Sequence, residues 1–224
     1  MTKEEIFQGQ ERLQAAIDCG NLMMNGSALL MANLTREYVE EWAKRPDCTL
    51  AMPWGCYDGY EGVKRCFTVD HRDINDEGAF ELLKGSLSMD SLSGEVIHVA
   101  EDCKTARAVY IIHRFETNPT NNELPEHSRK SYWNWGWYGV DFINEDGEWK
   151  LWHLRLFPCF KVPFGQNWAE YPYEGFELRM PTCDRPAMPI YVPGKDVLFP
   201  DEYPALPKPY KTFADVAPGY GYEL

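Results

Sequence analysis

The chain has 224 residues, of which 44% are hydrophobic and 14% aromatic, so wholesale disorder is excluded and a folded core is expected. Its 35 acidic and 22 basic residues give a formal net charge of −13, which disfavours nucleic acid and anionic membrane surfaces as partners. No run approaches the roughly 18 apolar residues of a membrane span, and the first residues show no secretory signal, so we expect a cytoplasmic protein.

The beginning of the chain has the patterns of helices. Thr2 and Glu5 have the spacing of a capping box, which predicts a helix that continues to about Ile17. The apolar stretch 19–34 predicts a largely buried helix, although its two glycines weaken the prediction of a continuous one. Thr35 can cap a further short helix.

Short elements follow this helical part. Residues 48–54 predict a strand, which Pro53 limits to an edge or an end of the sheet. Asp58 can cap a helix in which Val63 and Phe67 share one face, and another short helix follows near residues 80–83. The first 85 residues or so are therefore expected to be mostly helical.

The period of the sequence changes after residue 94. Residues 94–102 and 105–118 have the patterns of strands joined by a polar turn, and 118–130 are rich in turn-forming residues. Residues 131–157 predict a β-hairpin with its turn at residues 145–147. Helices followed by a run of antiparallel strands predict an α+β fold, with the helices on one face of a curved sheet.

The last part of the chain differs in composition. Residues 158–224 hold most of the 16 prolines and more than half of the 13 tyrosines. Such a segment cannot form long helices or central strands, yet it is too aromatic for typical disorder. We expect one domain over residues 1–157 and an extended tail over 158–224 that packs on that domain or on a neighbouring subunit.

The hairpin holds five of the eight tryptophans together with an aspartate (Asp141), a histidine (His153) and an arginine (Arg155). A three-residue turn pairs Asn144 with Glu148 and places Gly139 opposite His153, where the missing side chain leaves room for a ligand. A four-residue turn would instead place Tyr138 opposite His153. In the first register one face carries Trp133, Trp135, Trp137, Asp141, His153, Arg155 and Phe157.

Ionisable groups among aromatic side chains suggest a pocket that binds an apolar ring and moves protons on it. His153 and Asp141 are candidates for a general acid/base pair, and Arg155 can stabilise a developing oxyanion. Tyr138 is a further candidate for the same role. A purely structural ion pair between Asp141 and Arg155 is the alternative. The candidate substrate-binding residues are Trp54, Tyr57, Tyr110, Arg114, Trp133, Trp135 and Trp137.

The sequence carries no pattern of a metal or cofactor site. The seven cysteines are scattered without a CxxC pair, which indicates buried reduced thiols rather than disulfides or a zinc site. No phosphate-binding glycine motif is present, so we expect neither a nucleotide cofactor nor a metal. His71 follows a predicted helix, where a dipole or capping role is the simpler interpretation.

Three segments carry a resemblance to a known family. They read WGCYDGYEGV at 54–63, GEVIHVAEDCKTARAVY at 94–110 and WNWGWYGVDFINEDGEWKLWHLRLF at 133–157. In order and pattern they resemble the SnoaL-like branch of the nuclear transport factor 2-like superfamily, over roughly residues 10–160. The resemblance implies a cone-shaped α+β barrel with a deep apolar pocket that hosts cofactor-free chemistry on aromatic or polycyclic compounds, although the fold also hosts binding proteins.

Some residues depart from the dehydratases of this superfamily. These enzymes carry a tyrosine and an aspartate on an early helix, where this chain has only Tyr38 nearby. They also carry a histidine just before the first long strand, where Asp90 is the only ionisable group here. Arg155 matches an arginine of the final strand in one of these enzymes. The dehydratase dyad is therefore not carried over to this chain.

We therefore expect an enzyme, a cofactor-independent lyase acting on an aromatic or polycyclic hydroxylated small molecule. An isomerase or cyclase of the ketosteroid-isomerase type and a non-catalytic small-molecule-binding module are the alternatives. Because members of the superfamily usually associate, a homodimer or homotrimer is expected, with the proline-rich tail reaching across the interface.

Overall fold

The computed structural model describes residues 2–117, 131–170, 180–188 and 204–222. The predicted loop at 118–130 lies outside the described residues. In chain order the elements are α1 (Lys3–Met31), α2 (Thr35–Glu40), β1 (Thr49–Met52), β2 (Gly55–Asp58), α3 (Gly59–Arg65), a π-helical turn (Cys66–Asp70), α4 (Ala79–Leu83), β3 (Ser88–Val99), β4 (Thr105–Thr117), β5 (Ser131–Glu145) and β6 (Glu148–Pro163).

The six strands form one curved sheet in the order β2-β1-β6-β5-β4-β3. Neighbouring strands are antiparallel except β1 and β6, which are parallel. β3 begins earlier than the predicted strand because Gly94, with a positive φ of 60°, lies at a bulge inside the strand rather than at its start. The predicted α+β class, with N-terminal helices on one face of the sheet, is confirmed.

Helix α1 is continuous through both of its predicted parts. Its N-terminus has the capping box predicted from Thr2 and Glu5. A Cβ atom at Gly26 would lie 2.7 Å from Cε2 of Tyr38, so this glycine allows α2 to approach α1 closely. Its role is close packing, and it does not break the helix.

The main core lies between the helices and one side of the sheet, which we call the inner side. Leu22 and Met23 of α1 pack there with inward residues of the sheet such as Tyr110, Tyr138 and Leu154. The opposite side, which we call the outer side, carries the indole rings of β5, and these are only half-buried. Because side chains alternate along a strand, the pairing of β5 and β6 decides which residues face inward.

The predicted register of the β5–β6 hairpin is wrong. Asp146 and Gly147, with φ values of 54° and 96°, form a two-residue turn that pairs Glu145 with Glu148. A bulge at Trp152 then shifts the ladder by one further residue, so that Asp141 pairs with His153 and Gly139 with Arg155. Together the turn and the bulge shift the pairing by two residues. Because side chains alternate along a strand, a shift of two keeps each residue on its face, so the seven residues predicted to share a face do share one.

Strand β6 continues six residues beyond the predicted domain boundary at 157. Pro158 lies within it, opposite Gly136, and a second bulge follows between Trp135 and Gly136. β1 pairs with β6 only over residues 153–155. No residue of β1 therefore lies beside Pro158, where a backbone N–H would be required to pair the strands. The proline is tolerated for this reason.

The described parts of the C-terminal tail contact the barrel. Cys56 N–H donates to the carbonyl of Arg185 at 2.9 Å, which adds a short bridge beside β2. The hydroxyl of Tyr222 donates to the backbone oxygen of Tyr57 at 3.0 Å. All seven cysteines are free thiols, five of them buried. No helix among the described residues is long and apolar enough to cross a membrane.

The close approach of β5 and β6 at Gly136 predicts a stability effect. A Cβ atom there would lie 2.5 Å from the carbonyl oxygen of Phe157 and 3.0 Å from Cα of Pro158, both backbone atoms. Gly136→Ala should therefore lower the free energy of unfolding by about 1–3 kcal/mol in urea titrations. The matched control is Gly9→Ala in α1, where the added methyl meets nothing within 4 Å and should stabilise by about 1 kcal/mol.

Candidate functional site

A cavity of about 700 Å³ lies on the inner side of the sheet. It is bounded by α1, α2, β1, the π-helical turn, α4 and the inner faces of β3 to β6, and Met180 of the C-terminal segment also lines it. This volume is within the range that holds a small organic ligand. Much of the wall is apolar, formed by Met23, Leu30, Met52, Phe67, Leu83, Leu92, Leu154 and Met180.

Three polar side chains form a buried cluster on the sheet side of this cavity. The hydroxyl of Tyr138 donates to Oδ2 of Asp90 at 3.0 Å, and Nε of Arg114 lies 2.6 Å from Oδ1 of the same carboxylate. Burial, with Asp90 adding to it, raises the pKa of Tyr138 well above 10, so the phenol is neutral. Burial alone would lower the pKa of Arg114, but Asp90 raises it, so the guanidinium stays charged.

The register of the sheet holds this cluster in place. Asp90 is paired with Arg114 across β3 and β4, and Arg114 is paired with Asn134 of β5. The hydroxyl of Ser27 on α1 donates to the backbone oxygen of Asp90 at 2.8 Å, which fixes the helix over this point of the sheet. The guanidinium of Arg114 lies 6.0 Å from the ring of Trp54 on the same wall.

His71 also lines the cavity and comes directly after the π-helical turn. Its Nδ1 lies 2.8 Å from the carbonyl oxygen of Cys66, which also accepts the backbone N–H of His71 at 3.2 Å. A carbonyl can only accept, so Nδ1 carries the proton and Nε2 is the basic nitrogen. Burial lowers the pKa of His71 below 6.5, and the charge of Arg114 lowers it further, so the ring is neutral.

The segment that carries His71 is anchored at both sides. Asp73 accepts the backbone N–H of Arg36 at 2.9 Å, and Ile74 N–H donates to the carbonyl of Asn33 at 2.8 Å. These contacts tie the segment to the start of α2. The ring of His71 lies 5.3 Å from that of Phe67 and 6.3 Å from that of Trp54. The imidazole is therefore held at a fixed place among aromatic rings.

Several solved structures share this architecture. A protein from Novosphingobium aromaticivorans named after scytalone dehydratase is 17% identical, with a TM-score of 0.51 over 69% of this chain and 91% of that one. The hexachlorocyclohexane dehydrochlorinase LinA-type3 from Novosphingobium barchaimii is 13% identical, with a TM-score of 0.52 over 71% and 96%. The chain has the nuclear transport factor 2-like fold.

A third structure with this nuclear transport factor 2-like fold belongs to a Novosphingobium aromaticivorans protein named after aromatic ring hydroxylases. It is 9% identical, with a TM-score of 0.51 over 67% of this chain and 94% of that one. No family model and no curated protein matches the sequence. At these identities the comparisons show the fold, and the site must be argued from its own residues.

The predicted site residues divide between the two sides of the sheet. Tyr138, Trp54 and Arg114 line the cavity. Tyr57 and Tyr110 are buried on the inner side but are not among the residues that line it. Asp141, His153 and Arg155 lie on the outer side, as do Trp133, Trp135 and Trp137, so the prediction that these six face the pocket is wrong for this cavity.

The outer-side carboxylate of Asp141 is fully buried and has three donors. Arg107 Nε lies 3.0 Å from Oδ1, while His153 Nδ1 and the backbone N–H of Tyr220 lie 3.0 and 2.6 Å from Oδ2. The opening expected at Gly139 exists, but the ring of Tyr220 fills it and leaves no room for a Cβ atom. The partner of Asp141 is therefore Arg107 rather than Arg155, whose guanidinium lies 4.4 Å from the ring of Phe157.

Sequence reasoning missed the two ionisable residues that the cavity brings together with Tyr138. His71 was interpreted as a helix-end residue, and Asp90 was noted only for standing where dehydratases have a histidine. His71 is not part of a periodic pattern of apolar residues, so the sequence gives no indication that its side chain faces a cavity. Among the described residues, no group of three or more His, Cys, Asp or Glu side chains could hold a metal ion.

The Asp141 network predicts a stability effect. Asp141→Asn should lower the free energy of unfolding by about 3–5 kcal/mol, because it removes the charge that compensates buried Arg107. Chemical denaturation at pH 7 measures this change. Asp102→Asn removes an exposed carboxylate, and should change stability by less than about 0.5 kcal/mol. Equal effects of the two substitutions would contradict the structural role of Asp141.

Proposed function

We propose that this chain is a cofactor-independent lyase that acts on an aromatic or polycyclic hydroxylated small molecule bound in the inner cavity. The observation that carries the proposal is a neutral imidazole fixed in one tautomer beside a cavity of ligand size. The names of two structurally similar proteins, a dehydratase and a dehydrochlorinase, denote elimination reactions and agree with it.

His71 is the proposed general base. Its Nε2 takes a proton from the substrate carbon next to the one that bears the hydroxyl group. The electron pair of the broken C–H bond forms a C=C bond as the C–O bond breaks. The proton on Nε2 then passes to the departing hydroxyl, so that water is released and the neutral imidazole is restored. The Cys66 carbonyl keeps Nδ1 protonated and stabilises the imidazolium that exists between these steps.

Arg114 is the proposed stabiliser of developing negative charge, and Tyr138 is proposed to position the substrate hydroxyl. The guanidinium supplies a fixed positive charge in a wall that is largely shielded from water, where electrostatic effects are stronger. The hydroxyl of Tyr138 donates to Asp90, so its oxygen can accept a hydrogen bond from a substrate hydroxyl. Asp90 holds both groups and is a positioning residue in this scheme.

Aromatic side chains would hold the ring of the substrate. Trp54 lies near both His71 and Arg114. Its ring is 6.3 Å from the imidazole of His71 and 6.0 Å from the guanidinium of Arg114. Tyr38 and Phe67, with ring centroids 4.7 Å apart, add a perpendicular pair near the base. This role replaces the one that the sequence suggested for the tryptophans of β5.

The roles first predicted for His153, Asp141 and Arg155 are not retained in this proposal. Both ring nitrogens of His153 face acceptors, Asp141 Oδ2 at 3.0 Å and the backbone oxygen of Asp47 at 3.1 Å. A base needs a lone pair that a substrate can reach, and neither nitrogen offers one in this arrangement. The network is a structural one in our scheme.

Replacement of the proposed base tests the proposal. His71→Asn keeps a side-chain donor near the Cys66 carbonyl but removes the basic nitrogen, so the rate should fall by roughly 10²–10⁴. Purified protein is incubated with hydroxylated naphthalenes, steroids and polyketides, and mass spectrometry detects loss of water. His113→Gln, on the outer side beside Trp135, is the matched control and should keep the activity.

The products of the same assay separate the alternatives. A product of unchanged mass whose formation needs His71 would identify an isomerase. The same base, with Arg114 as the nearby cation, could also catalyse an isomerisation. Binding without any product would identify a non-catalytic module. Activity that survives His71→Asn but is lost in a folded His153→Gln variant would return the catalytic role to the outer side.

The pH dependence of the reaction gives a separate test. A general base works only when unprotonated, so kcat/KM falls as the pH drops below its pKa. Because burial and Arg114 lower the pKa of His71 below 6.5, the midpoint of the acid limb should lie below pH 6.5. A pH–rate profile measures it. A midpoint above 6.5 would contradict the assignment of His71 as the base.

A further inference from the structure

The charges on the wall of the inner cavity balance one another. Three carboxylates line it, together with three cations, although the whole chain has a formal net charge of −13. His71 adds no charge because it is neutral. The surface of the protein is thus strongly acidic while the cavity has no net charge. The ionic residues concerned are Asp70, Asp90, Glu116, Arg72, Arg114 and Lys161.

Each buried cation of the wall contacts a carboxylate. Arg114 Nε lies 2.6 Å from Asp90 and 3.7 Å from Glu116, and Lys161 Nζ forms an ion pair with Glu116. Arg72, the third cation, is exposed. An anionic ligand that lies against the sheet wall would therefore meet Arg114 and Lys161, whose charge is already compensated, and it would lie close to two carboxylates.

The pairing of the strands fixes this compensation. Asp90 of β3, Arg114 of β4, Asn134 of β5 and Lys161 of β6 form one continuous row of directly paired residues, all on the inner side. Asn134 is fully buried between the two cations and adds no charge. The register of the sheet thus keeps Asp90 directly beside Arg114, and Glu116, two residues further along β4, faces the same side.

From this balance we propose that the cavity selects uncharged hydroxylated aromatic ligands over carboxylates of the same shape, and that Asp90 and Glu116 set this preference. The inference rests on the proposed function in one respect: it takes the inner cavity to be the substrate site. Against the sheet wall an anion would lose its hydration without gaining an uncompensated cation, because Arg114 and Lys161 are already paired, and the nearby like charges of Asp90 and Glu116 oppose its binding. A neutral hydroxyl needs only a hydrogen-bond partner, which the oxygen of Tyr138 provides.

The native full chain tests the preference directly with two ligands of nearly equal shape. Isothermal titration calorimetry at pH 7.5 compares 2-naphthol, which is uncharged, with 2-naphthoate, which is an anion. We expect 2-naphthol to bind at least about tenfold more tightly. Equal affinity or tighter binding of 2-naphthoate would overturn the inference, and this measurement needs no variant.

Two substitutions test the residues that set the preference. Asp90→Asn and Glu116→Gln each remove one compensating charge, and each should tighten 2-naphthoate binding by about tenfold. Glu116 does not contact Tyr138, so 2-naphthol binding should change by less than about threefold in Glu116→Gln. Glu148→Gln removes the same charge at a position whose side chain is 77% exposed, and should leave the affinity ratio unchanged. Circular dichroism establishes that each variant is folded. A folded Glu116→Gln protein with an unchanged ratio would contradict the assignment.

The outcomes for selectivity and for catalysis are distinguishable. If 2-naphthol binds more tightly than 2-naphthoate as expected but no compound is turned over, the proposed selectivity is supported and the proposed lyase activity is rejected. Elimination from an anionic aromatic substrate, with tight 2-naphthoate binding, would retain the lyase and reject the selectivity.

Discussion

The pairing of β5 with β6 determines which chemistry each side of the sheet carries. Side chains alternate along both strands, so a shift of one residue would exchange the inner and outer sets. The two-residue turn and the bulge at Trp152 together place Tyr138 and Leu154 inward and Asp141 and His153 outward. The cavity, its polar cluster and the buried outer carboxylate all depend on this arrangement.

The two sides of the hairpin use ionisable groups in different ways. On the inner side, Asp90 holds Arg114 and Tyr138 beside an open volume, so their remaining hydrogen-bonding capacity is directed at a ligand. On the outer side, the donors around Asp141 come from the protein itself, including the backbone of Tyr220. Among the described residues, the inner side therefore combines charge, a hydrogen-bond acceptor and space.

Local patterns of the sequence were sufficient for much of the fold. The capping box at Thr2, the change of period near Gly94 and the hairpin with its turn at residues 145–147 all rest on interactions between near neighbours, and the structure has each of them. The register was predicted wrongly because the turn type and the bulge at Trp152 each shift the pairing by one residue in the same direction. The expected homodimer or homotrimer and the cytoplasmic location stay predictions.

The candidate site was less predictable than the fold, for a physical reason. A cavity forms where segments distant in sequence meet, and His71, Asp90 and Tyr138 come from three such segments. Tyr138, Trp54 and Arg114 were found because they lie on or near the aromatic strands. Asp141 and His153 were predicted to face the pocket because they lie among the aromatic residues of the hairpin. The segment that covers them, around Tyr220, is distant in sequence, so the hairpin alone gave no indication of it.

The contact between Asp141 and Tyr220 has a consequence for biosynthesis. The two residues are 79 positions apart, so the carboxylate leaves the ribosome long before its last donor does. Until the segment around Tyr220 is synthesised, the sheet carries Asp141 without one of its three donors. A chain truncated before Tyr220 would contain every described strand of the sheet but lack this donor, and we expect cellular proteases to degrade it faster.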